Sequence, residues 1–293
     1  MKKVILSVML PALICILFGA CENNREVAWI MSTPDISWQS QDAGNMKWEK
    51  GDAETVIDLN NTLQTIEGFG TCFNELGWTS LSLLPEEDRL SIMKELFAPG
   101  YGANFNTCRM PVGANDFSRN WYSYNETDGD FDMKEFSVSN DYETLIPFIK
   151  EAQKYNPSIR IWASPWSPPS WMKYNKHYAC AVSGNHLEER YRNDLTPDCQ
   201  GAEGTDMFVQ EDKYFKAYSL YFKLFVEAYK KEGINIFMVM PQNEFNSCQN
   251  FPSCTWTVAG INKFVGEYLG PEMKSIGVEV MFGTMERDRK SVV

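Results

Sequence analysis

From residue 65 onward the chain alternates short apolar runs with longer amphipathic stretches. Residues 65–72, 104–112, 159–164, 235–241 and 278–283 are apolar runs of strand length, too short for helices. Between them the spacing changes to steps of three and four. Pro85-Glu86-Glu87-Asp88 places a proline early and acids in the first turn, which predicts a helix running to Pro99-Gly100. A second helix is expected over 141–155, disturbed by Pro147. The strongest helical pattern covers 212–232, where Phe215, Tyr218, Phe222, Phe225 and Tyr229 share one face and Gly233 can cap the end. Residues 261–276 read as a further helix with a break at Gly270-Pro271, and residues 53–60 as a strand outside this series.

Strands apolar on both faces and joined by helices imply a parallel sheet covered by helices. Two architectures compete. An open doubly wound sheet usually has a glycine-rich first turn, whereas here the first strand leads into Phe73-Asn74-Glu75. A (β/α)8 barrel gathers its chemistry at the carboxyl ends of several strands, and polar or aromatic residues recur at such places: Arg109, Trp166, Asn243-Glu244 and Glu286. The expected class is therefore α/β, a (β/α)8 TIM barrel over residues 64–287, incomplete at about five strands.

Charge and the leader narrow the setting. The 293 residues carry 27 basic and 39 acidic side chains, a net of −12, which repels polyanions and argues against nucleic acid as a partner. Residues 1–21 have Lys2 and Lys3, an apolar stretch too short to span a membrane, and then Gly19-Ala20-Cys21. This is similar to a bacterial lipoprotein signal, with Cys21 lipidated and the product tethered to a membrane surface through residues 22–45; an ordinary cleaved secretory signal is the alternative. Export makes disulfides plausible for Cys72, Cys108, Cys180, Cys199, Cys248 and Cys254. Cys180–Cys199 and Cys248–Cys254 close short polar loops and are the expected pairs, leaving Cys72 and Cys108 as buried thiols. No CxxC or HxxxH spacing suggests a metal, and no glycine-rich loop suggests a phosphate cofactor.

Three segments carry candidate chemistry. In Met240-Pro241-Gln242-Asn243-Glu244 an apolar strand ends directly in a carboxylate, which half-burial can keep protonated as a general acid; Asn243 can bond a substrate hydroxyl, or the pair can simply start a helix. Residues 163–172 hold Trp166 and Trp171 on a loop stiffened by prolines. A rigid indole suits a sugar ring, although both tryptophans can instead pack beneath the loop. Arg109 at a strand end is costly to bury unless it pairs with a carboxylate, and Asp116 either binds sugar hydroxyls or makes a turn before Phe117-Ser118. Nine Trp, 13 Tyr and 18 Phe supply flat apolar faces for a core, a sugar cleft or both.

Taken in order, Glu67-Gly68-Phe69-Gly70, Arg109-Met110-Pro111, Asp116-Phe117-Ser118, residues 163–173 and Gln242-Asn243-Glu244 resemble glycoside hydrolase family 30, which holds glucosylceramidases and endo-β-1,6-glucanases. The resemblance covers roughly residues 50–287. It implies a TIM barrel with a side β-domain, of which 46–63 would be the first segment, and a retaining mechanism with two glutamates and no metal or cofactor. Glu244 matches the acid/base, Asn243, Asp116 and Trp166 the residues around the sugar next to the cleaved bond, and Arg109 the arginine supporting the nucleophile. Glu286 is a weaker candidate at the fifth strand. The family nucleophile belongs to a seventh strand, which this sequence does not reach. Residues 288–293 read as the translation of a sequencing adapter, so the native sequence is expected to depart near Arg287 and the residues as written to be inactive alone. The implied activity is cleavage of a β-1,6-glucan or a related β-glucoside such as glucosylceramide; a non-catalytic glycan-binding lipoprotein on the same fold is the alternative.

Overall fold

The computed structural model describes residues 29–41, 58, 60–184 and 192–286. Cys21 and the rest of the leader, nearly all of the 53–60 strand and the 288–293 tail lie outside the described residues. The chain divides into two units, Met1–Gln64 and Thr65–Val293. In the first, the stretch read as a tether contains an exposed hairpin, with β1 (Trp29–Met31) antiparallel to β2 (Gln39–Gln41).

The second unit is built on four parallel strands, β3 (Thr107–Pro111), β4 (Arg160–Ser164), β5 (Ile236–Val239) and β6 (Glu279–Val280), in that order across the sheet. Residues 69–73 run beside β3 as a further stave. Phe69 and Thr71 carbonyls accept from Asn106, Thr107 and Arg109, Phe73 N–H donates to Arg109 O, and Cys72 bridges Arg109 in parallel. Spatial order thus follows sequence order without reversal. A doubly wound sheet would reverse at its switch point, so the arrangement is that of a barrel, and its described staves form an arc that does not close.

Glycines allow the first stave to approach the second. A Cβ on Gly70 would lie 1.7 Å from the Thr107 carbonyl oxygen, and one on Gly68 2.1 Å from Asn106 Oδ1. A helix absent from the sequence reading follows. α1 (Glu75–Ser82) is started by Asn74, whose side chain accepts from Gly77 N–H at 2.7 Å. α2 (Glu86–Phe97), α3 (Leu145–Tyr155) and α4 (Asp212–Lys231) fall where the spacing predicts them. Pro147 does not disturb α3, because it sits in the first turn, where no intrahelical N–H is needed. Gly233, at φ +75°, ends α4, with Gly233 N–H bonding Lys230 O and Ile234 N–H bonding Tyr229 O.

The break expected at Gly270-Pro271 does not occur. α5 (Val258–Lys263) continues through a π-helical turn (Phe264–Leu269) into α6 (Gly270–Ser275). Gly270 N–H reaches back to Val265 O, and this wider turn accommodates a proline that has no N–H to give. Most aromatic side chains fill the core between sheet and helices: Phe208 stacks on Trp256 at 4.6 Å, and Tyr218 on Phe264 at 5.2 Å.

The cysteine expectation needs correction. All six described cysteines are unpaired; Cys199 is exposed while Cys180 and Cys254 are buried. The thiol against Cys180 belongs to Cys248. Short sequence separation misled because the polar loops fold across to one another rather than back on themselves.

Gly70→Ala is expected to cost about 3 kcal/mol, since the obstacle is strand backbone rather than a movable side chain. Gly266→Ala, in open space within a helix, is expected to gain about 0.5–1 kcal/mol. Urea unfolding of the two variants checks the contrast.

Candidate active site

The residues singled out in the sequence converge at the carboxyl ends of the parallel strands. Arg109 is the middle residue of β3 and reaches toward this end, Ser164 ends β4, Trp166 follows it by two residues, and Asn243-Glu244 lie in the loop after β5. Arg109 joins these ends. Its Nε donates to Ser164 Oγ at 2.9 Å and a terminal nitrogen to Asn243 Oδ1 at 2.7 Å. The guanidinium also stacks on Trp166 at 4.2 Å and Trp162 at 5.0 Å. The expected direct pairing of Arg109 with a carboxylate is therefore replaced by neutral acceptors and indole faces. Asp116 and Glu244 act on it through their charge, opposing the effect of burial, which lowers its affinity for the proton.

This contact settles the orientation of Asn243. Its Oδ1 accepts from Arg109 and, at 3.3 Å, from Thr284 Oγ1, while its N–H donates to Pro165 O. The amide NH2 is left as the donor end for a hydroxyl. Gln242, which sequence reasoning missed, ties the same two loops: its buried Nε2 donates to Trp166 O at 2.6 Å.

Asp116 is not the turn-former. Asn115 takes that role, accepting from Phe117 N–H and donating to Gly113 O. Asp116 instead accepts from Trp166 Nε1 at 3.1 Å. Burial raises its carboxyl above the usual range, against the lowering effects of Trp166 and Arg109. Trp166 is itself only 7% exposed, so it forms a wall of the site rather than an open platform. Trp171 is buried apart from it and bonds Asn125 O. A second residue missed in the sequence is Glu75, a fully buried carboxylate on α1. It accepts from Arg119 N–H and Nε, Asn140 Nδ2 and Thr144 Oγ1, and Leu76 N–H bonds Phe117 O. These bonds fix the loop on which Asp116 sits. The only sequence signal was an acid behind an Asn that can cap a helix.

Glu244 occupies left-handed backbone at φ +46°, uncommon for a non-glycine residue, and its N–H donates to Thr284 Oγ1 at 3.1 Å. Its carboxyl is raised by burial first, then by Glu286 and Asp116, with Arg109 opposing. Glu286 accepts from Ser247 Oγ at 2.9 Å, and its N–H donates to Asn246 Oδ1, so it is held to the loop after β5. Among the described residues no group of three or more His, Cys, Asp or Glu side chains is arranged to hold a metal ion. The site therefore offers a carboxyl with raised proton affinity at Glu244, an amide donor at Asn243, the Asp116 carboxyl and an indole face.

Residues 66–193 match the Glycosyl hydrolase family 30 TIM-barrel domain. The chain is 31% identical over 246 residues to putative glucosylceramidase 1 of Caenorhabditis elegans, covering 82% of this chain and 43% of that protein. It is 28% identical over 244 residues to the endo-1,6-beta-D-glucanase neg1 of Aspergillus fumigatus, covering 82% and 47%. The solved structure of an endo-beta1,6-glucanase superposes with a TM-score of 0.62 at 30% identity, over 77% of this chain and 45% of that one. The chain thus spans less than half the length of these relatives.

Because Glu244 holds its proton more tightly in the fold than in the unfolded chain, its ionisation opposes folding. Its relative contribution is fully present below the ordinary glutamate value of about 4.3 and is lost as pH rises through the raised native value. Glu244→Gln cannot ionise. It is expected to be more stable than the parent at pH 7, with the gain shrinking below about pH 4. Urea unfolding of both proteins at the two pH values checks this, and a gain independent of pH overturns it.

Proposed function

The chain belongs to glycosyl hydrolase family 30, and from that premise we propose that it carries the acid/base half of a retaining β-glycoside hydrolase. The observation that carries this reading is Glu244. It stands in the loop after strand β5, its carboxyl is raised by burial and by the charges of Glu286 and Asp116, and Asn243 beside it presents an amide donor. A glycosidic oxygen leaves poorly until protonated, and a carboxyl whose hold on its proton is strengthened by its surroundings is suited to supply that proton. Glu244 protonates the leaving oxygen as a second carboxylate attacks the anomeric carbon. It then takes a proton from the water that releases the sugar. In the resemblance the attacking group belongs to a seventh strand, beyond this sequence. Glu286 stays a modulator of Glu244.

Asp116 and Asn243 would hold hydroxyls of the sugar beside the cleaved bond, with Trp166 against its ring. Arg109 keeps both Asn243 and Trp166 in place and, in the resemblance, supports the nucleophile. A β-1,6-linked glucan is the substrate we favour over glucosylceramide, because an exported lipoprotein anchored through Cys21 at a bacterial surface meets polysaccharide. Among the relatives glucanase and glucosylceramidase names both occur, so the choice rests on the expected setting.

The test uses the product of the complete gene with β-1,6-glucan and glucosylceramide as competing substrates. Glu244→Gln is expected to lower kcat by about 10²–10⁴-fold while leaving glucan affinity within a few-fold. Full activity in that variant excludes Glu244 as the acid/base, and glucan binding without turnover by the parent excludes the hydrolase reading. Glu286→Gln removes a charge that raises Glu244, so the basic limb of the kcat profile is expected to move to lower pH.

A further inference from the structure

The loop after β4 and the loop after β5 meet along a seam. Cys180 N–H and Ala181 N–H both donate to Gln249 O, at 3.0 and 2.8 Å. Ser253 N–H donates to Tyr178 O at 3.1 Å, and Ala179 pairs with Pro252. Lys173, buried at 1% exposure, binds the seam with its ammonium, donating to Tyr178 O, Ala179 O and Ser253 O. Within this seam the Cys180 sulfur lies 3.2 Å from Ser253 O and in hydrogen-bond contact with the Cys248 thiol. Two sulfurs 68 positions apart in sequence are thus brought together by backbone pairing on both sides.

We propose that Cys180 and Cys248 form a disulfide that staples the loop carrying Trp166 to the loop carrying Asn243 and Glu244. Backbone bonds from Cys180 and Ala181 to Gln249 O hold the two cysteines on adjacent segments, the proximity that a disulfide requires. The oxidant is a disulfide of the thiol–disulfide exchange class, either a small-molecule disulfide or an oxidoreductase of an oxidising compartment. Cys248 is the half-buried partner and so the one such a donor reaches. Its sulfur bonds one donor sulfur, and the donor's other sulfur leaves as a thiol. The Cys180 sulfur then attacks Cys248, releasing the second donor thiol. Two protein thiols give up two protons and two electrons, and one donor disulfide becomes two thiols. Once Cys248 is bonded to the donor it no longer donates to Cys180, and the nearby Lys173 charge remains to oppose burial as the Cys180 thiol loses its proton. Cys254 is fully buried and its thiol is raised, so it does not compete.

The protein from its complete gene is equilibrated in glutathione buffers from reducing to oxidising ratios, then alkylated in denaturant and digested. At the oxidising end one linked pair of peptides, containing Cys180 and Cys248, is expected, with Cys72, Cys108, Cys199 and Cys254 alkylated. Reduction is expected to lower the Tm by about 5 °C or more, since the bond closes a long loop. Cys248→Ser, at the less buried position, should leave Cys180 alkylated and remove the effect of reductant on Tm. Alkylation of both Cys180 and Cys248 throughout the series overturns the proposal, as does a linked peptide pairing either with Cys199 or Cys254. Neither readout requires catalysis, so the outcome is independent of the hydrolase reading.

Discussion

The Arg109 guanidinium is the constraint on which the site depends. A cation within a barrel strand loses hydration, and the fold must return it through geometry. Here the return comes from Ser164 on the next strand, Asn243 after the one beyond it, and the face of Trp166. One side chain therefore sets the relative positions of three consecutive strand ends. It also settles which end of the Asn243 amide faces the site. The neutral partners matter, because a carboxylate bound directly to Arg109 would be held ionised, while the nearby carboxyls of Asp116 and Glu244 both keep raised proton affinities.

The surrounding structure supports an arrangement that is costly on its own terms. Glu244 has left-handed backbone and a carboxyl that resists ionisation, and neither helps the fold. The opposing stabilisation lies in bonds that tie one loop to another. Gln242 holds the Trp166 loop, Glu75 collects donors around the Asp116 loop, and Lys173 gathers three carbonyls where the later loops cross. Removing any of these leaves a buried polar group without its partner, which costs more than the bond itself contributes. The loops are irregular in shape and fixed in place.

The periodicity of the sequence determined the parallel staves and the main helices, because a strand apolar on both faces and a helix apolar on one each leave a local signature. Arg109, Trp166, Asn243 and Glu244 were legible as candidates, because a polar or aromatic residue closing an apolar run is visible in one dimension. What those residues bond to was not visible. Asn243 rather than a carboxylate meets Arg109, Asn115 rather than Asp116 makes the turn, and Cys180 meets Cys248 rather than Cys199. Gln242 and Glu75 gave almost no signal, since their partners come from distant segments. The continuous helix through Pro271 belongs with them, because a widened turn is a compromise of packing that no local pattern announces. Local propensity and burial period are properties of neighbours in the chain. Hydrogen-bond partners and proton affinities at the site are properties of neighbours in space, which exist only once the strands are side by side.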